Sequence, residues 1–365
     1  MGSSFGKTIK LTIFGESHGP AIGAVLEGLP PGLKVDTDYM AAELDKRRAY
    51  GSISTARREA DIPEILSGVK NRLTEGTPLA LIIRNTDVRS QDYQNSTVPR
   101  PSHADFTAQA KYLGFQDASG GGHFSGRLTA PIVAACAIIK QALEEKGILI
   151  GTHIARMATA EDRPFADDPA EDIKTLAGLQ FPVLDSSAAA EMQQIIERCA
   201  AESDSVGGVL ETAVCGLDAG IGEPIFDTIE GEIAKAMFAV PAIKGVEFGA
   251  GFALGQSRGS QANDSFAVEG SKIVTTSNNS GGVNGGITNG MPVVFRTVVK
   301  PTPSIGKTQQ SVDIQTLQPA ELSIKGRHDP AIIHRARPVL DALTALVIAD
   351  FYAQRYGYMW LRNDR

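Results

Sequence analysis

The residues of this 365-residue chain that could do chemistry gather in short blocks. A histidine stands in Gly15-Glu16-Ser17-His18-Gly19, directly after a β-rich run. An imidazole can serve as base or acid near neutral pH, so His18 is either a functional group or a turn histidine bonded to backbone. Arg100-Pro101-Ser102-His103-Ala104-Asp105 opens a stretch that runs to Lys140. Within it, Gly120-Gly121-Gly122 comes shortly before Arg127, at the mouth of an apolar run. Glycines permit close backbone approach, and a loop entering a helix can turn N–H groups toward an anion. The competing reading is a surface turn before a core helix. Lys46, Arg47 and Arg48 end a helix-like segment, and Arg57 and Arg58 follow. The helix dipole favours positive charge there, which explains the first cluster without excluding an anion site. Lys300-Pro301-Thr302-Pro303-Ser304 offers one point charge and two hydroxyls, a set suited to a terminal phosphate. Gly326-Arg327-His328-Asp329-Pro330 adds an anion clamp and a carboxylate near a turn.

The balance of the chain narrows the classes. It is 42% hydrophobic and 21% charged, with a formal charge of -7. That is an ordered globular composition, and the acidic balance argues against a nucleic-acid partner. Cys136, Cys199 and Cys215 are odd in number and widely spaced, which argues against a disulfide scaffold or a zinc site, so no metal is expected. The first residues lack the apolar core of a signal peptide, and no run of about 18 apolar residues suggests a membrane span. A cytoplasmic location without a membrane partner is the expectation. There is no P-loop, and no GxGxxG follows a first strand.

The elements that must position these blocks can be read from periodicity and punctuation. Strands are expected at 7–14, 22–29, 79–84, 148–156, 205–214 and 292–300, with a strand pair or bulged strand at 245–254. Asp36 or Thr37 can cap a helix over about 38–48. A short helix is expected from Asp105 through Ala110, and another over 188–202. A buried helix is expected over 132–143, with Thr129 as cap and Pro131 in the first turn. The last helix is expected from near Pro338 toward Phe351. Residues 160–185 are charged and contain proline, with a surface excursion expected around 167–175, and 85–101 reads as an ordered functional loop. The Gly/Asn-rich segment 278–290 is either a linker or a ligand-hugging loop. His153 and Arg156 have no companion motif. Ile22–Glu27 followed by Gly28–Gly32 is echoed by Val206–Glu211 followed by Gly216–Gly220, each ahead of an acidic helix-like stretch. The echo suggests two related β-α units, with chance as the alternative.

Taken together, the blocks resemble the chorismate synthase family. FGESHG at 14–19, DKRR at 45–48, NTDVRSQDY at 85–93, RPSHAD at 100–105 and SGGG at 119–122 occur in family order. KGVEFG at 244–249, RGSQ at 258–261, KPTPSI at 300–305 and GRHDP at 326–330 continue that order across nearly the whole chain. The resemblance implies an α+β fold, a β-α-β sandwich within one domain spanning 1–365. Two pseudo-related halves are expected at about 7–156 and 205–351. It implies a trans-1,4 elimination converting 5-enolpyruvylshikimate 3-phosphate to chorismate and phosphate. Reduced FMN is required, without net redox change. NADPH is expected only indirectly, through an external flavin reductant, and the assembly is expected to be a homotetramer.

The same resemblance assigns residues. Arg47, Arg100, Arg127 and Arg327 match arginines that surround the substrate, with Arg48 as a further member of the anionic pocket. Arginine's planar fork fits carboxylate and phosphate in a way lysine's point charge does not. His103 matches the histidine that assists the departing phosphate, His18 the histidine beside the flavin, and Asp329 the carboxylate near the flavin. FMN contacts are expected from His123, Phe124, Ser125, Gly126, Gly285, Lys300, Pro301, Thr302, Pro303, Ser304 and Arg327. The chain departs from the common RSSARET pattern, reading His123-Phe124-Ser125-Gly126-Arg127-Leu128-Thr129. It also lacks an arginine over Gly51–Thr55 that many members carry. An ordinary flavin oxidoreductase is opposed by the missing dinucleotide fingerprint. A non-enzymatic phosphometabolite binder is opposed by the joint presence of His18, His103 and Asp329.

Overall fold

Leu79, Leu81 and Ile83 are buried and alternate with less buried neighbours, the signature of a strand with one face on a core. Gly208–Cys215 is buried almost throughout, as a strand covered on both faces must be. Each belongs to a five-stranded antiparallel sheet. The computed structural model describes residues 2–49, 51–54, 60–86, 97–117, 119–324 and 329–362.

The first part of the chain forms β1 (Ser4–Phe5), β2 (Lys10–Gly15), β3 (Ala21–Glu27), α1 (Thr37–Asp45), β4 (Pro63–Ser67), a hairpin of β5 (Val69–Lys70) and β6 (Leu73–Thr74), β7 (Leu79–Arg84), α2 (Asp105–Tyr112) and α3 (Thr129–Glu145). Its sheet runs β1-β2-β3-β7-β4. The rest forms β8 (Leu149–Met157), β9 (Ala160–Glu161), α4 (Ala170–Ala177), α5 (Ser186–Ala201), β10 (Gly208–Cys215), α6 (Ile229–Phe238), β11 (Ile243–Phe248) and α7 (Gly259–Ala262). Hairpins β12 (Phe266–Glu269)–β13 (Lys272–Thr275) and β14 (Val283–Asn284)–β15 (Ile287–Thr288) follow. Then come β16 (Val293–Val299), the hairpin β17 (Gln309–Val312)–β18 (Pro319–Leu322), and α8 (Ile333–Tyr356). The second sheet runs β9-β8-β10-β16-β11.

Without its additions, each part reads strand, strand, helix, strand, strand, helix. In both sheets the fourth of these strands lies between the second and third. The 149–157 strand hydrogen-bonds to β10 and so belongs to the second sheet. Helices fill the space between the sheets. α3 lies against β3, β7 and α8; α8 lies against β8 and β10. One core runs through both sheets, from Ile9 to Leu361. The segment 126–145 is long and apolar enough to cross a membrane, but 83% of it is buried inside this fold. It is a core helix, flanked by a sheet and by α8.

Several boundaries differ from expectation for local reasons. The last helix starts at Ile333, five residues before Pro338. Proline lacks a donor but fits early in a helix, and Arg335 and Ala336 already bond back to Ile332. The stretch expected as a surface excursion largely forms α4, because Ile173 and Leu176 share one face and are buried. Ile173 packs with Ala213 and Cys215 on the outer side of the second sheet. β11 is bulged between Ile243 and Gly245 and then gives way to a 3-10 turn at Gly251–Gln256. Asp36 does cap α1, accepting from the N–H groups of Asp38 and Tyr39. Thr129 is the first residue of α3 rather than its cap.

His153 has companions that only the fold brings near. Across the second sheet, His153 faces Glu211, Glu211 faces Arg296, and Arg296 faces Glu247. His153 Nδ1 lies 2.7 Å from Asp162 Oδ2, and Nε2 lies 3.1 Å from Glu211 Oε2. Burial alone would disfavour the charged ring, but the two carboxylates outweigh it and raise its pKa above the ordinary value. A raised folded-state pKa adds stability that is complete below the unfolded value and is lost as pH rises through the folded one. Denaturant midpoints of the wild type should therefore decline above about pH 6.5 by an amount that His153→Gln lacks. Parallel pH profiles for the two proteins would reject this role.

Candidate active site

The GESHG turn leaves β2 and folds against the triple-glycine loop. Ser17 N–H donates to Gly122 O at 3.2 Å, and Ser17 Oγ lies 3.0 Å from His18 Nδ1. Gly120, Gly121 and Gly122 have φ values of 60°, 107° and 51°. That run suits residues without a Cβ. At Gly120 space demands glycine as well, since a Cβ there would fall 1.9 Å from His18 Cε1; one on Gly121 would make an ordinary contact with His103 Cε1 at 3.6 Å. Consecutive glycines thus carry the two histidines that the sequence singled out.

His103 is held by the first turn of α2. Its Nδ1 lies 2.5 Å from Asp105 Oδ1, while Arg100 donates Nε and Nη2 to the same carboxylate at 2.8 and 2.7 Å. Burial resists charge on Asp105, yet Arg100 and His103 hold it well below the usual carboxylate range. Ser102 takes a left-handed φ of 59° just before His103, and its carbonyl accepts from Lys300 Nζ at 3.1 Å. An open cleft of about 450 Å³ is lined by Arg100, Ser102, His103, Phe106 and, from β17, Ser311.

A second group forms around Asp61. Arg47 donates Nη1 to Asp61 Oδ2 at 3.1 Å and Nη2 to Thr129 Oγ1 and Gly126 O. Arg127 Nη1 pairs with Asp61 Oδ1, and its Nε donates to Asn85 Oδ1 at 3.0 Å. Asn85 Nδ2 in turn donates to Glu16 O and Gly19 O, which locks the GESHG turn to Arg127. Burial, with neighbouring Arg335 and Arg127, pushes Arg47 down to about 10 against the pull of Asp61. Arg48 lies at the edge of this group, paired with Asp45 and donating to Ala60 O at 2.8 Å.

The remaining expected contacts are distributed. His123 Nδ1 lies 3.0 Å from Gly15 O, and Phe124 meets Tyr112 edge-on at 6.2 Å. Ser125 Oγ accepts from Arg127 N–H, capping the turn Gly126–Leu128. Lys300 is lowered from its usual pKa by burial and by Lys244. Thr302 O accepts from Ser205 Oγ, Pro303 O accepts from Gln309, and Pro301 packs against Gly207, while Ser304 lies in the same half-buried loop. Asp329 Oδ2 accepts from Arg335 Nη1 at 2.7 Å. Gly285 sits in the β14–β15 turn, whose next residue, Gly286, packs on Glu223 and Thr228. Arg327, like Arg57 and Arg58, lies outside the described residues.

Buried polar atoms without a partner occur at several places among the described residues, and two belong to the residues above. Arg47 Nε and Thr302 Oγ1 have no hydrogen-bond partner. A guanidinium N–H and a hydroxyl so placed suit carboxylate or phosphate oxygens. The residues are therefore compatible with an anionic substrate and a phosphate-bearing cofactor. Sequence reading missed Asp61 and Arg335. Each acts through a partner distant in sequence, and a lone Asp or Arg gives no local signal. Asn85 opens the NTDVRSQDY block, but its sequence assigned it no role.

The chain matches the family model described as chorismate synthase over residues 9–353. It is 43% identical over 346 residues to the chorismate synthase of Pyrococcus abyssi, covering 94% of this chain and 96% of that one. It is 44% identical over 360 residues to that of Methanosarcina barkeri, covering 98% of each. A crystal structure of a chorismate synthase superposes with a TM-score of 0.77 at 29% identity, over 97% of this chain and 94% of that one.

Gly120→Ala tests the loop geometry directly. A methyl group 1.9 Å from the His18 ring must displace it, so turnover should fall by about tenfold or more. Turnover within about twofold of wild type would show that the His18 position is not set by this contact.

Proposed function

We propose, from the premise that this chain belongs to the chorismate synthase family, that the two groups just described divide the family's work between them. The chain carries out the FMN-dependent elimination that forms chorismate. Its substrate is 5-enolpyruvylshikimate 3-phosphate, which carries two carboxylates and a phosphate. Arg47, Arg100 and Arg127 bind those anions, with Arg48 at the rim and Arg327 as the family's further clamp. Positive charge gathered there also favours charge building on the departing phosphate. His103 donates a proton, or a charged hydrogen bond, to the leaving oxygen, and Asp105 orients the ring. Bound reduced FMN supplies transient electron density to the allylic system, without net redox change. Lys300, Thr302 and Ser304 hold its phosphate or ribityl chain, with Pro301 and Pro303 shaping the segment. His123, Phe124, Ser125, Gly126 and Gly285 complete its contacts. His18 and Asp329 hold or move protons on the cofactor side.

The observation that carries this reading is the packing of His18 and His103 on consecutive glycines, with Arg100 bound to the same carboxylate as His103. Such an arrangement can keep an acid near a leaving group and another titrating ring near a cofactor. We further propose that the protein works in the cytoplasm as a homotetramer. A separate reductase supplies reduced flavin, so that NADPH acts only indirectly.

Anaerobic turnover with chemically reduced FMN tests the reaction. Phosphate and chorismate should appear together with no consumption of NADPH, and absence of chorismate would sink the assignment. Oxidised FMN with NADPH in air should give no turnover; product there would instead demand an intrinsic flavin reductase. His103→Ala should lower kcat by about 100-fold or more while KM moves by only about threefold. An unchanged kcat would remove His103 from leaving-group departure.

A further inference from the structure

Arg335 belongs to none of the sequence blocks. It is the third residue of α8, on a helix that is otherwise buried along most of its length. Its side chain turns back toward the preceding loop. Nη1 donates to Asp329 Oδ2 at 2.7 Å, and Nε donates to the backbone carbonyl of Arg47 at 2.8 Å. Arg47 follows the last turn of α1, where carbonyls lack partners within the helix and carry partial negative charge. One planar guanidinium therefore satisfies a carboxylate of the second unit and a carbonyl of the first. A lysine could supply the charge but not the two fixed donors.

Both ends of this bridge lead into the site. The Arg47 side chain continues to Asp61, Thr129 and Gly126. The residue after Asp329 is anchored as well, because the carbonyl of Pro330 accepts from Val206 N–H at 2.8 Å. The Arg335 side chain keeps 28% of its surface exposed, so it borders open space instead of filling the core.

We propose that Arg335 is a positioning residue for the elimination. It holds the Asp329 carboxylate in register with the substrate-binding Arg47, and so fixes the separation between the cofactor side and the anion side of the site. The assignment rests on the roles given above to Asp329 and Arg47. Loss of the bridge should disturb turnover through Asp329, not through a general loss of folding.

The test is a double-mutant cycle on the full chain, with kcat and KM measured anaerobically with reduced FMN. Arg335→Gln should lower kcat by about tenfold or more, with KM changed by about threefold at most. Added to Asp329→Asn, it should cost nothing further, because both changes break one unit. Arg335→Lys should recover part of the loss. A kcat for Arg335→Gln within about twofold of wild type, or losses that simply add, would overturn the proposal. Should Arg335→Gln fail to fold by circular dichroism, Arg335→Lys in the same cycle decides, with the same two outcomes. A wild-type protein that makes no chorismate would defeat the reaction assignment, whereas a failed cycle with an active wild type defeats only the role of Arg335.

Discussion

Two buried guanidiniums cannot share a small volume without a counter-charge, and Asp61 supplies it. Arg47 and Arg127 come from elements 80 residues apart in sequence and meet on its two oxygens. Removing one partner of a buried pair typically costs about 3–5 kcal/mol, because the other charge is left stranded. Here a lost carboxylate would strand two. Asp61 itself sits at a left-handed φ of 47°, a conformation costly for a residue with a side chain. The ion pairs help compensate for that strain, and the strain aims the carboxylate between both arginines. With Asp61 taking one edge of each guanidinium, the remaining donors are left with fixed directions. Arg47 Nε is one of them.

Asp105 repeats the device nearby on a more exposed scale. It collects Arg100 and His103 on one carboxylate, so that a guanidinium and an imidazole keep a set relation. Asn85 joins the Asp61 neighbourhood to the GESHG turn, since it receives Arg127 and donates to the carbonyls of Glu16 and Gly19. The site is thus built from carboxylates and amides that orient cations. Those orienting groups are satisfied by the protein, and Arg127 also donates Nη2 to the Arg84 carbonyl.

Much of this was legible in the sequence, and the rest was hidden for identifiable reasons. Strands such as Leu79–Arg84 announce themselves because alternation and burial coincide. The buried helix around Ile138 was equally plain, though its start lay earlier, at Thr129, because a proline in the first turn is tolerated. α4 was hidden because only Ile173 and Leu176 mark its inner face amid charges and prolines. Within the candidate site, motif blocks single out His18, His103 and Arg127, since unusual residue types cluster around glycine and proline. Asp61 and Arg335 could not be found that way. Their importance lies in which distant side chain or carbonyl they meet, a property of the tertiary arrangement and not of local spacing. His153, unassigned by sequence, owes its partners to cross-strand register in the same way.

The repeated strand order has a further consequence for how such a chain can change. In each unit a long connection leaves the fourth strand for the final helix, at 85–128 and at 300–332. These two connections touch: Lys300 meets the Ser102 carbonyl, Ser311 meets the Pro99 carbonyl, Ile314 N–H meets the Thr97 carbonyl, and Thr97 meets Asp313. Their lengths are therefore not independent. An insertion that lifts one connection would unseat groups on the other, so the loops most free to vary in most folds are here obliged to drift as a pair.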